Sequence, residues 1–130
     1  MKLSARSEDG QEHCLILEVK RLGADSTIGL VTLKGRLSYH FASQVRNCFL
    51  SMIDEGVKRA IVDLSELTYV DMSGLGVFIS LRKKMGQPFN DGRVTLVCTD
   101  ENILKVFQVT GLERVFAISQ NLEDATEDMG

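Results

Sequence analysis

The chain has 130 residues, enough for one domain with a hydrophobic core of its own. Its composition, 44% hydrophobic and 25% charged with a single proline, is that of a globular protein and excludes a disordered or low-complexity chain. Fifteen basic residues against 18 acidic ones leave a net charge of -3 without any basic tract, which argues against duplex nucleic acid or an anionic membrane as a partner.

Residues 1–11 read as an N-terminal tail, and the opening MKLSARSEDGQEH lacks the apolar segment of a signal peptide. No apolar run approaches the ~20 residues that span a bilayer, so the chain is expected to be soluble and cytoplasmic. Cys14, Cys48 and Cys98 are odd in number, far apart and without a CxxC pair, as suits reduced, buried thiols. With only His13 and His40 beside them, no metal-ligand spacing emerges.

HCLILEVKRL and TIGLVTLKG are rich in β-branched and leucine residues and flank the turn sequence GADS, which predicts a β-hairpin. The period then changes. Phe41, Ala42, Val45, Cys48, Phe49, Met52 and Ile53 fall on one helical face, with Ser38 expected to cap the first turn and Gly56 to end the helix. VKRAIVDL predicts a short strand, and TYV a further extended piece after SEL. From Ser73 to Met85 the pattern is helical again, with Leu75, Phe78, Ile79 and Leu81 inward and Arg82, Lys83 and Lys84 at the end favoured by the helix dipole. GQPFNDG should stop that helix.

RVTLVCT predicts another strand, and ENILKVFQVT a helix capped by Thr99 or Asp100 and ended by Gly111. RVFAIS reads as a last strand, and NLEDATEDMG as a helix start that frays into an acidic end at residues 126–130. The order β-β-α-β-α-β-α-β-α makes this an α/β domain: a small mixed sheet, parallel across its strand–helix–strand crossovers, with helices packed mainly on one side.

One stretch, YVDMSGLGVF (Tyr69–Phe78), interrupts the apolar pattern with an acid, a hydroxyl and two glycines. Ser73 stands where strand gives way to helix, so its simplest role is that of an N-cap. Gly74 and Gly76 each cost a helix roughly 0.5–1 kcal/mol relative to Ala, which close packing against the sheet would offset. The helix start also suits an anion, while a phosphate on Ser73 would be repelled by Asp71. MSGLG is not a GxSxG nucleophile elbow, and no GxxxxGK[ST] phosphate loop occurs. Asp63 and Asp71 could in principle pair at strand ends, though solvated turn acids are the simpler reading. No catalytic residue, metal site or cofactor is therefore expected.

IVDLSELTYVDMSGLGVF resembles the signature of the STAS domain, the family of anti-sigma factor antagonists and of the cytosolic domains of sulphate transporters. VTLKGRLS, VTLVCTDENILKVFQVTGLERVFAI and NLEDA agree in order, so the resemblance covers residues 12–125. It implies a mixed sheet with helices mainly on one side. It also implies a regulatory cycle. The antagonist binds an anti-sigma factor, often a serine kinase using ATP, and so releases a sigma factor to RNA polymerase. Phosphorylation ends the interaction, and a serine phosphatase restores it. The acceptor of the D-x-S-G motif falls on Ser73, with Asp71 as its acid and Gly74 as the following glycine. Ser38, Asp71, Met72, Gly74, Leu75 and Gly76 would form the switch and partner surface. Two positions depart from the pattern: GRLS has Ser38 where the family usually has an acid, and Met72 replaces a smaller or more polar residue. A non-catalytic scaffold or adaptor in a stress-signalling or transport complex is the alternative. A small enzyme would need a general base that the sequence does not supply.

Overall fold

Lys2–Arg6, read from the sequence as part of a tail, is a strand, β1, antiparallel to β2 (Glu12–Leu22) with Leu3 opposite Leu15. Five residues with one leucine and one alanine carry too little pattern to announce a strand. Leu3 is nevertheless buried, and Ala5 packs against the same core. The computed structural model describes residues 1–6, 8–86 and 93–129, with the backbone alone at 86, 93 and 127–129. The helix stop expected at GQPFNDG therefore lies almost wholly outside the described residues.

β2 and β3 (Ile28–Leu37) form the expected hairpin. The chain then crosses through α1 (Ala42–Asp54) to β4 (Arg59–Val70), through α2 (Met72–Gly86) to β5 (Arg93–Val97), and through α3 (Glu101–Thr110) to β6 (Ala117–Ser119). The last connection includes a 3-10 turn at Leu112–Arg114, which confines the strand expected over RVFAIS to its final three residues. The sheet order is β1-β2-β3-β4-β5-β6, antiparallel from β1 to β3 and parallel from β3 to β6. α4 (Leu122–Met129) continues through most of the expected acidic tail.

β4 is one long strand where the sequence suggested two short pieces. Its pairing with β3 slips at Thr32/Lys34 and again at Gly35/Arg36. A bulge inserts an extra residue and resets the alternation of side chains. Leu64, Leu67 and Val70 consequently all reach the core at a spacing of three, a period that does not read as a strand.

The main core lies between one sheet face and α1, α2 and α3. Val31, Leu33, Val62 and Leu96 from the sheet meet Phe49, Phe78 and Phe107 from the helices. Phe107 stacks on Phe78 and meets Phe116 edge-on, each pair with ring centroids 6.3 Å apart. Each such burial contributes roughly 1.5–3 kcal/mol. α4 covers the other face, where Ala125 packs on Ile61 and Val97. The expected arrangement of helices mainly on one side therefore holds, with three helices against one.

Candidate functional site

β3 and β4 run parallel and end side by side, Leu37 opposite Val70. The chain leaving each strand therefore emerges at the same edge, where clefts of parallel sheets collect functional residues. Residues 38–41 make a tight turn, Phe41 N–H donating to the Ser38 carbonyl at 3.0 Å, before α1 begins at Ala42. Residues 71–73 enter α2 beside it.

Asp71 joins the two segments. Its Oδ1 accepts from Gly74 N–H at 3.0 Å, and its Oδ2 accepts from Tyr39 N–H at 2.9 Å. Its own N–H donates to the Leu37 carbonyl at 3.3 Å, and its carbonyl takes the first helical bond from Leu75 N–H at 3.0 Å. Asp71, not Ser73, is thus the N-cap of α2, because a carboxylate one residue before the helix reaches the third amide of the first turn. A negative charge there also complements the helix dipole. Ser38 does not cap α1 either: Phe41 holds the cap position without a side-chain bond.

Relieved of capping, Ser73 is exposed on the first turn of α2, and among the described residues nothing hydrogen-bonds its hydroxyl. The other residues expected at this surface divide into two groups. Met72 is 73% exposed, and Asp71 and Gly76 are half-buried. Ser38, Gly74 and Leu75 are buried and shape the site from beneath. A Cβ on Gly74 would stand 2.8 Å from Val70 Cγ2 and 2.9 Å from the Leu37 carbonyl oxygen. Close packing therefore accounts for Gly74. It does not account for Gly76, whose Cβ would meet nothing within 4 Å.

Three residues at this end were not singled out from the sequence. Tyr39 is 65% exposed and lies on the His40 ring, centroids 4.1 Å apart. Tyr69 is partly exposed beneath the Arg36 guanidinium, which lies 4.1 Å from its ring centroid, a cation–π geometry. With Met72 they place large apolar and aromatic side chains on the segments that flank Ser73. GRLSYH and LTYVDM contain both tyrosines, but only the meeting of the β3 and β4 ends makes them neighbours of one site.

Ser38 is 4% exposed, and its Oγ is buried without a hydrogen-bond partner. A hydroxyl in that state costs desolvation with no compensating bond. Ser38→Ala is expected to leave stability unchanged or raise it by about 1 kcal/mol. Ser38→Asp, which buries a carboxylate beside the Asp71 clamp, should lower it by more than about 2 kcal/mol. Urea unfolding of the two variants checks both signs.

Burial pushes the thiols of Cys48 and Cys98 above the usual cysteine range. Among the described residues, no hydrogen bond joins either histidine to Ser73, and no group of three or more potential ligands is placed to hold a metal. No helix among them is long and apolar enough to cross a membrane.

The family model of the STAS domain matches residues 11–125. The chain belongs to the STAS domain family. An anti-sigma-B factor antagonist of Staphylococcus epidermidis is 27% identical over 93 residues, covering 72% of this chain and 84% of that protein. This STAS domain superposes on an anti-sigma factor antagonist from Mycobacterium paratuberculosis with a TM-score of 0.76 at 16% identity, over 95% of this chain and 97% of the other. It is also similar to the Bacillus cell-fate determinant SpoIIAA in its phosphorylated form, with a TM-score of 0.69 at 21% identity, over 88% of this chain and all (100%) of the other. At these identities the structural likeness establishes the fold. What the site does rests on its own residues.

Proposed function

We propose that this STAS domain is a cytoplasmic anti-sigma factor antagonist, switched off by phosphorylation of Ser73 and so regulating sigma-factor-dependent transcription. One observation carries the reading: the Ser73 hydroxyl is exposed and uncommitted at the start of α2 because Asp71 has taken over the cap. The relatives named as antagonists, and the structural relative described in a phosphorylated form, support it.

The partner is an anti-sigma factor that is itself a serine kinase. Ser73 Oγ accepts the γ-phosphoryl group of ATP, ADP leaves, and the hydroxyl proton passes to a base of the kinase. The domain is substrate and switch, not enzyme. The added group carries about -1.5 to -2 charges on the first turn of α2, next to exposed Met72 and two residues after the half-buried Asp71 carboxylate. An interface that desolvates Met72 and Tyr39 then has to bury a dianion, which costs several kcal/mol when no cation answers it. A serine phosphatase resets the surface.

The test uses the purified domain, ATP and a candidate anti-sigma kinase. Mass spectrometry is expected to find one phosphate, on Ser73. Ser73→Ala should bind the kinase as the wild type does, whereas the phosphorylated domain and Ser73→Asp should bind roughly 100-fold more weakly. Equal affinity of the phosphorylated and unphosphorylated forms would overturn the proposal.

A further inference from the structure

The thioether sulfurs of this chain sit in two different environments. Met52 and Met85 belong to the main core, 3% and 9% exposed, whereas Met1 and Met72 are 67% and 73% exposed. Methionine is among the residues most often buried, yet Met72 stands in water as the first residue of α2, immediately before Ser73. Packing does not require it there, because Gly74 is the residue of that turn that meets the sheet. A flexible, polarizable side chain in this position suits an apolar contact with a partner. It also presents its sulfur to small solutes.

We propose that Met72 is a site of reversible oxidation to methionine sulfoxide, and that the sulfoxide weakens the partner contact made beside Ser73. The inference rests on the reading of this end of the domain as the partner surface. A hydroperoxide supplies the oxygen. A lone pair of the Met72 sulfur attacks one peroxide oxygen, the O–O bond breaks, and hydroxide leaves. The proton on the transferred oxygen then passes to that hydroxide, giving sulfoxide and water. The sulfur loses two electrons, and the peroxide is reduced.

Oxidation turns an apolar tip into a polar one that carries an acceptor oxygen. An interface that covers Met72 must then bury that oxygen, which costs free energy wherever no donor meets it. Unlike a phosphate, the sulfoxide adds no net charge, so its effect should be the smaller of the two. Exposure gives the selectivity: the core shields Met52 and Met85, while Met72 is open. Because Met72 lies outside the core, its sulfoxide should leave the fold intact.

Hydrogen peroxide treatment of the purified domain, followed by peptide mass spectrometry and measurement of affinity for the anti-sigma kinase, tests it. Met72 should gain one oxygen while Met52 and Met85 stay reduced and the melting temperature holds. Affinity should fall roughly tenfold. The loss should persist after dithiothreitol, which reverses disulfides and sulfenic acids, and disappear after treatment with methionine sulfoxide reductases of both stereospecificities. Met72→Leu should bind as the wild type does and keep its affinity through peroxide, although Met1 is still oxidised. Met72→Gln should bind more weakly without any treatment, and Cys14→Ser should remain sensitive. Unchanged affinity of the Met72 sulfoxide overturns the inference and leaves phosphorylation of Ser73 standing. Sensitivity that persists in Met72→Leu, or vanishes in Cys14→Ser, overturns it in the same way. An untreated domain that binds no anti-sigma kinase overturns the proposed function itself, and this role of Met72 with it.

Discussion

Gly74→Ala should destabilise the domain by about 2–3 kcal/mol, lowering the melting temperature by roughly 10 °C. The added methyl group meets Leu37 Cγ at 2.9 Å, Val70 Cγ2 at 2.8 Å and the Leu37 carbonyl oxygen at 2.9 Å. A side chain can rotate away, but the carbonyl belongs to the backbone of β3 and can yield only if α2 lifts from the sheet. Lifting α2 would also pull Gly74 N–H from Asp71. Helix propensity works the other way, by roughly 0.5–1 kcal/mol, and is too small to compensate. Gly76→Ala is the matching control. Its Cβ enters open space, and its φ is not positive. That variant should gain roughly 0.5–1 kcal/mol from helix propensity alone. Thermal and urea unfolding of the two variants should therefore move in opposite directions. Similar losses in both would mean that Gly74 is not specially confined.

Asp71→Ala should cost about 2–3 kcal/mol. It removes the α2 cap, worth about 1 kcal/mol, and a second charge-assisted bond to Tyr39 N–H, worth about 1.5–3 kcal/mol before water substitutes for it. Asp71 is half-buried and the Tyr39 side chain is exposed, so water recovers part of that loss. Asp71→Asn retains a single acceptor oxygen. It can serve Gly74 N–H or Tyr39 N–H but not both, and should lose about half as much. Hydrogen exchange separates the clamp from a general loss of stability. In Asp71→Ala the amides of Tyr39 and Gly74 should lose protection well beyond the global change, while those of the β2–β3 hairpin follow the global change. Undiminished protection at Tyr39 would show that the turn is held by something other than this carboxylate.

The two variants probe one design. Gly74 lets α2 approach the end of β3, and Asp71 uses that approach to hold the α1 entry and the α2 start together. Ser73 can stay outside the network because its neighbours supply all the bonds. That independence fits the proposed acceptor role, since among the described residues modifying its oxygen breaks no hydrogen bond.

Much of this was legible in the chain itself. The Leu-, Ile- and Val-rich runs of HCLILEVKRL and TIGLVTLKG, and periods of three and four around Val45 and Phe49, are written in local side-chain order and appear as the expected strands and helix. The crossovers followed from that order, and the resemblance carried by IVDLSELTYVDMSGLGVF led to the family that the family model matched. Other properties are relations between segments distant in sequence. β1 exists because Leu3 finds Leu15 across the edge of the sheet. β4 is continuous because two bulges let it follow β3. No local rule could give the cap of α2 to Asp71 rather than Ser73 with certainty, since both are good capping residues and the choice follows from Tyr39 N–H being close enough to share the carboxylate. Burial likewise separated Gly74 from Gly76 and Ser38 from Met72, which look alike as departures from a pattern. Sequence alone determined the hairpin, the helices, the order of the crossovers and the serine to examine, but not β1 or the continuity of β4. Tertiary structure decided which groups around that serine are bonded and which are exposed, because hydrogen bonds and close contacts depend on distances between segments that local periodicity does not encode.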